Sequence, residues 1–262
     1  MDLGLTGRKA LVTGASKGIG KASARALAEE GVDLTLVARG REDLEAAAAE
    51  IGEATGRTVH VHAADVTEPG APDAAVAFHM ARHGGLDILV NNAGAQPTGD
   101  FFGISDEDWE RGFAVKFHGY VRFCRAAFPH LEESGRGVIV QNVGAAAKAP
   151  QPGFLPGGAI NAALNNFTKG LARIGTERGV RVVSMNSGPV RVEKLEASMT
   201  EAAAEAGEDV ESLVARRSKE IGVTRYAKPE DLGAFCAFLA SDRAVHVHGA
   251  NLFIDGGQTK EL

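Results

Sequence analysis

The sequence predicts a single α/β domain over residues 1–262, with a doubly wound parallel sheet of about seven strands and helices on both faces. Apolar runs of strand length alternate with helical segments along the chain, which is typical of βαβ units. A glycine-rich turn joins the first apolar run directly to the first helical segment, as expected where a strand passes into a helix. A length of 262 residues suits one domain with a substantial core.

Seven strands are predicted, with helical segments between them. Ser105 has the spacing of the first residue of a capping box, and the helix that it opens is expected to continue to about Leu131. A second long helix is expected over residues 158–177. The predicted strands are residues 9–13, 33–37, 58–62, 87–90, 138–141, 180–185 and 251–254.

Residues 191–226 interrupt this alternation with two further helical segments, at 195–207 and 209–220. This stretch is too long for an ordinary connection between a strand and the next helix. It is either an additional pair of surface helices or a helical lid over a bound substrate. Because ligands of open α/β sheets bind beyond the carboxyl ends of the strands, its position after the sixth strand favours the lid.

The composition argues against several classes of protein. A net charge of −6 disfavours a nucleic-acid surface and binding to anionic membranes. The two cysteines, Cys124 and Cys236, fit no metal-binding or disulfide spacing, so no metal site is predicted. No charged-then-apolar leader precedes the first strand, and no apolar run reaches membrane-spanning length. The expected setting is the reducing cytoplasm, and the expected partner is a small-molecule substrate.

Three motifs follow the first, third and fourth strands. Gly14, Gly18 and Gly20 form a turn whose backbone, with the positive end of the next helix, can hold a pyrophosphate. Asp-Val follows the third strand at residues 65–66, and Asn-Asn-Ala-Gly follows the fourth at residues 91–94. With Phe-Ile-Asp-Gly-Gly near the end of the chain, these segments closely resemble the short-chain dehydrogenase/reductase family. The resemblance covers essentially the whole chain and implies a Rossmann-type fold, a nicotinamide dinucleotide cofactor and oxidoreductase activity.

The resemblance also implies which residues contact the cofactor. Those expected along the phosphates and ribose are Gly14, Ser16, Lys17, Gly18, Ile19, Gly20 and Arg39. Those expected to flank the adenine are Asp65 and Val66, and those expected beside the adenosine ribose and the nicotinamide are Asn91, Ala93 and Gly94.

The choice between NAD and NADP depends on the end of the second strand. An acidic residue about 20 positions after the glycine loop would bind the ribose hydroxyls and repel a 2′-phosphate. Here the sequence is Ala38-Arg39, without a carboxylate, and Lys17 adds a second cation in the loop. The alternative is that both cations are solvated surface residues. Because the missing acid and the two cations agree, the sequence predicts NADP(H).

The catalytic positions of the family hold other residues in this chain. The family uses an asparagine, a serine, a tyrosine and, four residues after the tyrosine, a lysine. Here those positions are Lys116, Gly144, Gly157 and Asn161, and neither tyrosine of the chain has a lysine four residues later. The asparagine and the lysine are exchanged between two helices. The two glycines are expected to open space above the nicotinamide, and restoring all four family residues is expected to create ordinary carbonyl reductase activity.

This exchange leaves two interpretations open. In one, Lys116 and Asn161 form a repurposed catalytic pair with a buried ammonium at its centre. This predicts an NADP(H)-dependent oxidoreductase with a non-standard active site, acting on a small apolar carbonyl, an imine or an activated alkene. In the other, Lys116 extends to solvent and the pocket is inactive. This predicts a non-catalytic NADP(H)-binding protein, a sensor or the inactive partner of an active relative.

The resemblance further implies a homodimer or homotetramer, because the family assembles through its two long central helices. Here these helices are residues 106–131 and 158–177. Their apolar side chains are expected to exceed what one sheet face buries. Examples are Phe117, Phe123, Leu164 and Phe167.

Overall fold

The computed structural model describes residues 1–260 and, at Lys194, the backbone alone. Parallel strands form one sheet in the order β3-β2-β1-β4-β5-β6-β7. All seven predicted strands are present, although the third begins one residue late and the sixth continues to Ser187. The strands are β1 Lys9–Thr13, β2 Asp33–Ala38, β3 Val59–Ala63, β4 Ile88–Asn91, β5 Val138–Asn142, β6 Arg181–Ser187 and β7 Asn251–Ile254.

Helices cover both faces of the sheet, as the alternation of elements predicted. They are α1 Gly18–Glu29, α2 Arg41–Thr55, α3 Ala71–His83, α4 Asp106–Gly112, α5 Gly119–Glu133, α6 Leu155–Arg178, α7 Glu193–Ala206, α8 Val210–Glu220 and α9 Pro229–Ala240. Successive side chains of a strand point to opposite faces, so Val12 joins an apolar core with α1, α2 and α9, and Leu11 joins another with α3, α5 and α6. None of the helices within residues 1–260 is long and apolar enough to cross a bilayer.

The helix predicted over residues 106–131 is divided into three segments. Ser105 caps its start, because the hydroxyl accepts a hydrogen bond of 3.2 Å from the Asp108 backbone N–H. A π-helical segment, Phe113–His118, then separates α4 from α5. Such a segment inserts an extra residue into the turn, redirects the side chains that it carries, and is frequent at functional sites. Here it carries Lys116, which is buried.

The two helices predicted within residues 191–226 are present as α7 and α8. Main-chain pairing between Val190 and Ala227 closes the base of this helical hairpin. The two helices share a small apolar core of their own, which includes Met199 and Leu213. The hairpin is therefore an ordered addition to the sheet.

The central helices α5 and α6 bury more of their apolar surface within the chain than the sequence predicted. Phe123 and Leu164 lie in apolar cores within the chain, at 1% and 0% exposure. The expectation that these two side chains are left over for an interface between subunits was wrong. Phe117 and Phe167 are only partly buried, and Ile174 is 49% exposed. A surface groove lined largely by apolar side chains therefore remains along α5 and α6.

Candidate active site

A cavity of about 650 Å³ lies at the carboxyl ends of β1, β2 and β4. The strand order reverses between β1 and β4, and ligands of open α/β sheets bind at such reversals. Most residues expected at a dinucleotide site line this cavity: Gly14, Ser16, Lys17, Arg39, Asp65, Val66, Ala93 and Gly94.

The glycine-rich turn is packed too closely for larger residues. A β-carbon at Gly14, where φ is +63°, would lie 2.8 Å from the Ala93 α-carbon. A β-carbon at Gly20 would lie 2.1 Å from the Gly14 carbonyl oxygen. Gly18, Ile19 and Gly20 form the first turn of α1 and do not themselves line the cavity. This close turn fits a pyrophosphate, which would meet backbone N–H groups and the positive end of α1.

Asn92 belongs to this site, whereas the side chain of Asn91 does not. The Asn92 amide donates to the backbone oxygens of Thr13 and Gly14 at 3.2 and 3.0 Å, and its Oδ1 accepts from Asn142 at 2.6 Å. The Asn91 side chain is buried and donates at 3.0 Å to a glutamine of β5. Asn91 was expected at the cofactor site and Asn92 was not. The alternation of side chains along a strand was the signal that only one of the two faces the cavity.

Charged side chains surround the end of the cavity near β2. Lys17 and Arg39 both line it, as expected of residues that contact a 2′-phosphate. Asp43 lines it too, and was missed because it lies beyond the strand end, in the first turn of α2. Lys17 Nζ lies 3.7 Å from a carboxylate oxygen of Glu193, and both side chains are about two-thirds exposed. This cavity, called the dinucleotide groove below, therefore has acidic side chains beside it as well as the two predicted cations.

A second cavity, of about 290 Å³, lies at the carboxyl ends of β5 and β6. Its lining includes Lys116, Gly144 and Asn161, which are three of the four positions where catalytic residues were expected. Amide and hydroxyl groups come from Gln96, Gln151, Ser187 and Gln258. None of the described side chains of α7 or α8 lines it, so a lid role for the hairpin stays a prediction.

Lys116 is buried at 6% exposure and directs its amino group toward Asn161. Its Nζ donates hydrogen bonds of 2.7 Å to the Val143 carbonyl oxygen and 2.9 Å to Asn161 Oδ1. Burial lowers the pKa of Lys116 from its ordinary value of 10.5 to about 7. The predicted proximity of Lys116 and Asn161 is confirmed, and Lys116 does not extend to bulk solvent.

Known proteins resemble this chain over nearly its whole length. Residues 14–259 match the profile of a family described as enoyl-(acyl carrier protein) reductase. Oxidoreductase UcpA of Salmonella typhimurium is 35% identical over 257 residues, which cover 97% of this chain and 95% of that protein. The 3beta-hydroxysteroid dehydrogenase 1 of Eggerthella lenta is 35% identical over 263 residues, with the same coverage. L-Sorbose reductase from Gluconobacter frateurii, solved with NADPH and L-sorbose, has a TM-score of 0.96, 34% identity and complete coverage of both chains.

This chain belongs to the short-chain dehydrogenase/reductase family. The predicted family, the doubly wound α/β fold and the oxidoreductase class are thereby confirmed. The named relatives act on unlike compounds, since one name specifies a steroid and another a sugar. Family membership therefore does not select a substrate for this chain.

The two glycines at catalytic positions of the family do not open the space expected of them. A β-carbon at Gly157 would lie 2.0 Å from Cζ of Phe154, so the Phe154 ring occupies that position. A β-carbon at Gly144 would lie 2.6 Å from the side-chain nitrogen of Asn161. Gly144 also has φ +154°, a conformation that residues with side chains rarely adopt. The expectation was wrong because neighbouring side chains fill the volume that the lost ones would leave.

Neither tyrosine of the chain supplies a replacement acid. The Tyr120 hydroxyl donates a hydrogen bond of 2.8 Å to the Asn142 carbonyl oxygen, and burial raises the pKa of Tyr120. Tyr226 lies in the small core of the α7–α8 hairpin. His118 is exposed. Lys116 is thus the titratable side chain of the second cavity among the residues that the structure describes.

Proposed function

We propose that this protein is an NADP(H)-dependent oxidoreductase that reduces a small polar carbonyl compound, with Lys116 as the proton donor. The supporting observation is the buried Lys116 amino group, held by Val143 and Asn161 in a cavity beside the dinucleotide groove. A general acid is most effective when its pKa lies near the working pH, and the Lys116 pKa of about 7 meets that condition.

The groove suits NADP(H), whose nicotinamide would supply the hydride. Gly14 and Ser16 would approach the pyrophosphate, and Arg39 with Lys17 would bind the 2′-phosphate. Lys17 would leave Glu193 to do so, at small cost, because an exposed ion pair contributes only about 0–1 kcal/mol. The residues that would flank the adenine and lead toward the nicotinamide are Asp65, Val66, Asn92, Ala93 and Gly94.

Lys116 would act on the carbonyl oxygen of the substrate. An ammonium has three N–H donors, of which Val143 and Asn161 accept two, so the third is free for a substrate oxygen. As hydride reaches the carbonyl carbon, Lys116 transfers its proton to the oxygen, which gives the alcohol and a neutral amine. The two N–H groups of that amine still satisfy both acceptors. A positioned acid of this kind contributes about 10²–10⁴ in rate.

The cavity lining favours a polar substrate over the apolar one expected from the sequence. Gln96, Gln151 and Gln258 present amide groups at the cavity wall. Within residues 1–260, Nε2 of Gln96 is buried without a hydrogen-bond partner. An unpaired buried donor costs about 1–3 kcal/mol, which a substrate oxygen would offset. A hydroxylated ketone or aldehyde offers such oxygens, in line with the sugar bound to L-sorbose reductase.

Three further proposals concern the oligomeric state, the role of residues 191–226 and the location in the cell. A homodimer or homotetramer is supported by the apolar groove along α5 and α6. A lid role for residues 191–226 is supported by the contact of their base with the glycine loop, where Val192 lies 3.3 Å from the β-carbon position of Gly18. A cytoplasmic location is supported by two buried free thiols, Cys124 and Cys236.

An NADPH-oxidation screen tests the proposed function. Hydroxyketones, apolar ketones, imines and activated alkenes are supplied separately, and the hydroxyketones are expected to react fastest. Lys116→Met is expected to abolish turnover while NADPH still binds in a fluorescence titration. Full activity of this variant would remove Lys116 from the mechanism. If no compound is reduced although NADPH binds, the non-catalytic NADP(H)-binding hypothesis replaces this one.

A further inference from the structure

Phe154 has no role in the cofactor binding or the proton donation proposed above. It ends a short 3-10 turn, Pro152–Phe154, directly before α6. Its Cζ lies 2.0 Å from the place where a β-carbon of residue 157 would stand, and two more ring carbons lie at 2.3 and 2.4 Å. Phe154 also lines the cavity that contains Lys116. One ring therefore fills the volume beside Gly157 and forms part of the substrate cavity.

The ring explains why residue 157 is glycine. Gly157 lies inside α6 without a positive φ, so the backbone conformation there does not demand glycine. Alanine is favoured over glycine within a helix. However, carbon atoms that are not bonded to each other pack at about 3.5–4.0 Å, and even a methyl group at residue 157 would come far closer to the Phe154 ring. Gly157 and Phe154 are thus a matched pair.

We propose that Phe154 is the specificity-determining residue of the cavity, where its ring limits the size of the substrate and keeps water from Lys116. The proposal rests on the proposed function, because it concerns the substrate of the same site. The Phe154 ring fills the place where a side chain of residue 157 would begin, but it carries no hydroxyl. It can therefore form a wall and cannot donate a proton, which leaves that step to Lys116.

The test compares the full-length variants Phe154→Ala, Gly157→Ala and the double variant with the unaltered protein. Each is assayed with a small hydroxyketone and with the same ketone carrying a bulky aryl group. Phe154→Ala is expected to raise the ratio of kcat/KM for the bulky over the small ketone by about tenfold or more. It is also expected to move the pKa in the pH profile upward from about 7, because water then reaches Lys116. Phe154→Leu leaves most of the wall in place and should give an intermediate ratio. It carries the test if Phe154→Ala folds poorly.

Thermal unfolding tests the packing without requiring turnover. Gly157→Ala is expected to lower Tm, and the double variant is expected to recover part of that loss because the opposing ring is absent. NADPH affinity, measured as a control, should be equal in all variants. If the changes in Tm are additive, Phe154 and Gly157 are not a matched pair. If the ratio of kcat/KM for the bulky over the small ketone is unchanged in Phe154→Ala and Phe154→Leu, the specificity role alone is overturned. If the unaltered protein reduces neither ketone nor any other compound of the screen, the proposed function fails and the specificity role fails with it, whereas coupled Tm values would still support the packing.

Discussion

Lys116 and Asn161 lie in different helical segments, yet the amino group of one donates a hydrogen bond of 2.9 Å to the amide oxygen of the other. The amide nitrogen of Asn161 points the opposite way, to within 2.6 Å of the β-carbon position of Gly144. The orientation of the amide therefore satisfies Lys116 on one side and requires a glycine on the other. A substitution at any of these three positions is expected to disturb the other two.

The rate of carbonyl reduction is expected to fall as pH rises through about 7. Lys116 must carry a proton to donate one, and its pKa is about 7, so the protonated fraction drops about tenfold for each further pH unit. Steady-state kcat/KM measured from about pH 6 to 9 would check this, with NADPH saturating. A flat or rising profile would contradict the role of Lys116 as the acid.

The free energy of unfolding should depend on pH through Lys116. In the folded protein this group releases its proton near pH 7, whereas in the unfolded chain it does so near 10.5. Between these values the unfolded state binds more protons, so the contribution of Lys116 to stability rises with pH. The matched variant is Lys116→Met, which lacks the titrating group. Urea unfolding at several pH values should show the unaltered protein gaining stability relative to this variant from about pH 7 to 10. A constant difference would mean that Lys116 keeps an ordinary pKa.

NADPH is expected to bind more tightly than NADH, and Arg39→Asp is expected to reverse the preference. An introduced carboxylate would bind the ribose hydroxyls and repel the 2′-phosphate. Glu193→Gln makes the opposite change in charge, because it removes the exposed carboxylate 3.7 Å from Lys17. This variant should strengthen NADPH binding by about twofold and leave NADH binding unchanged. Calorimetry would measure the affinities of the unaltered protein and of both variants for each cofactor, about six in all. Equal binding of the two cofactors by the unaltered protein would refute the NADP(H) assignment.

Restoring the four family residues is not expected to create good carbonyl reductase activity by itself. A tyrosine at residue 157 would collide with the Phe154 ring, and a serine at residue 144 would have to adopt φ +154°. We expect a lower Tm and little activity from the fourfold variant, which combines Lys116→Asn, Gly144→Ser, Gly157→Tyr and Asn161→Lys. Adding Phe154→Ala should raise both Tm and the rate of NADPH oxidation. If the fourfold variant is already as stable and active as the fivefold one, the Phe154 ring does not block residue 157.

Sedimentation velocity at micromolar concentration is expected to show a homo-oligomer. Ile174 is an exposed apolar side chain in the groove along α5 and α6. Ile174→Glu should therefore shift the protein toward monomer, because it places a charge where an apolar contact is expected. An exposed glutamate on α7, Glu201→Gln, serves as the control and should leave the sedimentation coefficient unchanged. A monomer in the unaltered protein would contradict the proposed assembly.

The sequence determined the order of strands and helices, because hydrophobic periodicity and glycine position are local properties of the chain. It also predicted that Gly14, Lys17 and Arg39 lie together, and they line one cavity. These residues belong to turns at the ends of strands, and the carboxyl ends of parallel strands meet at one edge of the sheet. The exchange of Lys116 and Asn161 was visible because the resemblance to the family marks its catalytic positions in this sequence. Motifs at strand ends predict which residues share a site, because the fold brings those strand ends together.

The tertiary structure decided which side chains occupy the volume of that site. Gly144 and Gly157 predict open space when they are considered alone, but the Asn161 amide and the Phe154 ring fill it. Lys116 is buried within a π-helical segment that no local pattern predicted. Its lowered pKa follows from that burial. Packing fills a core to nearly uniform density, so the space left by one side chain depends on neighbours whose directions the sequence does not specify.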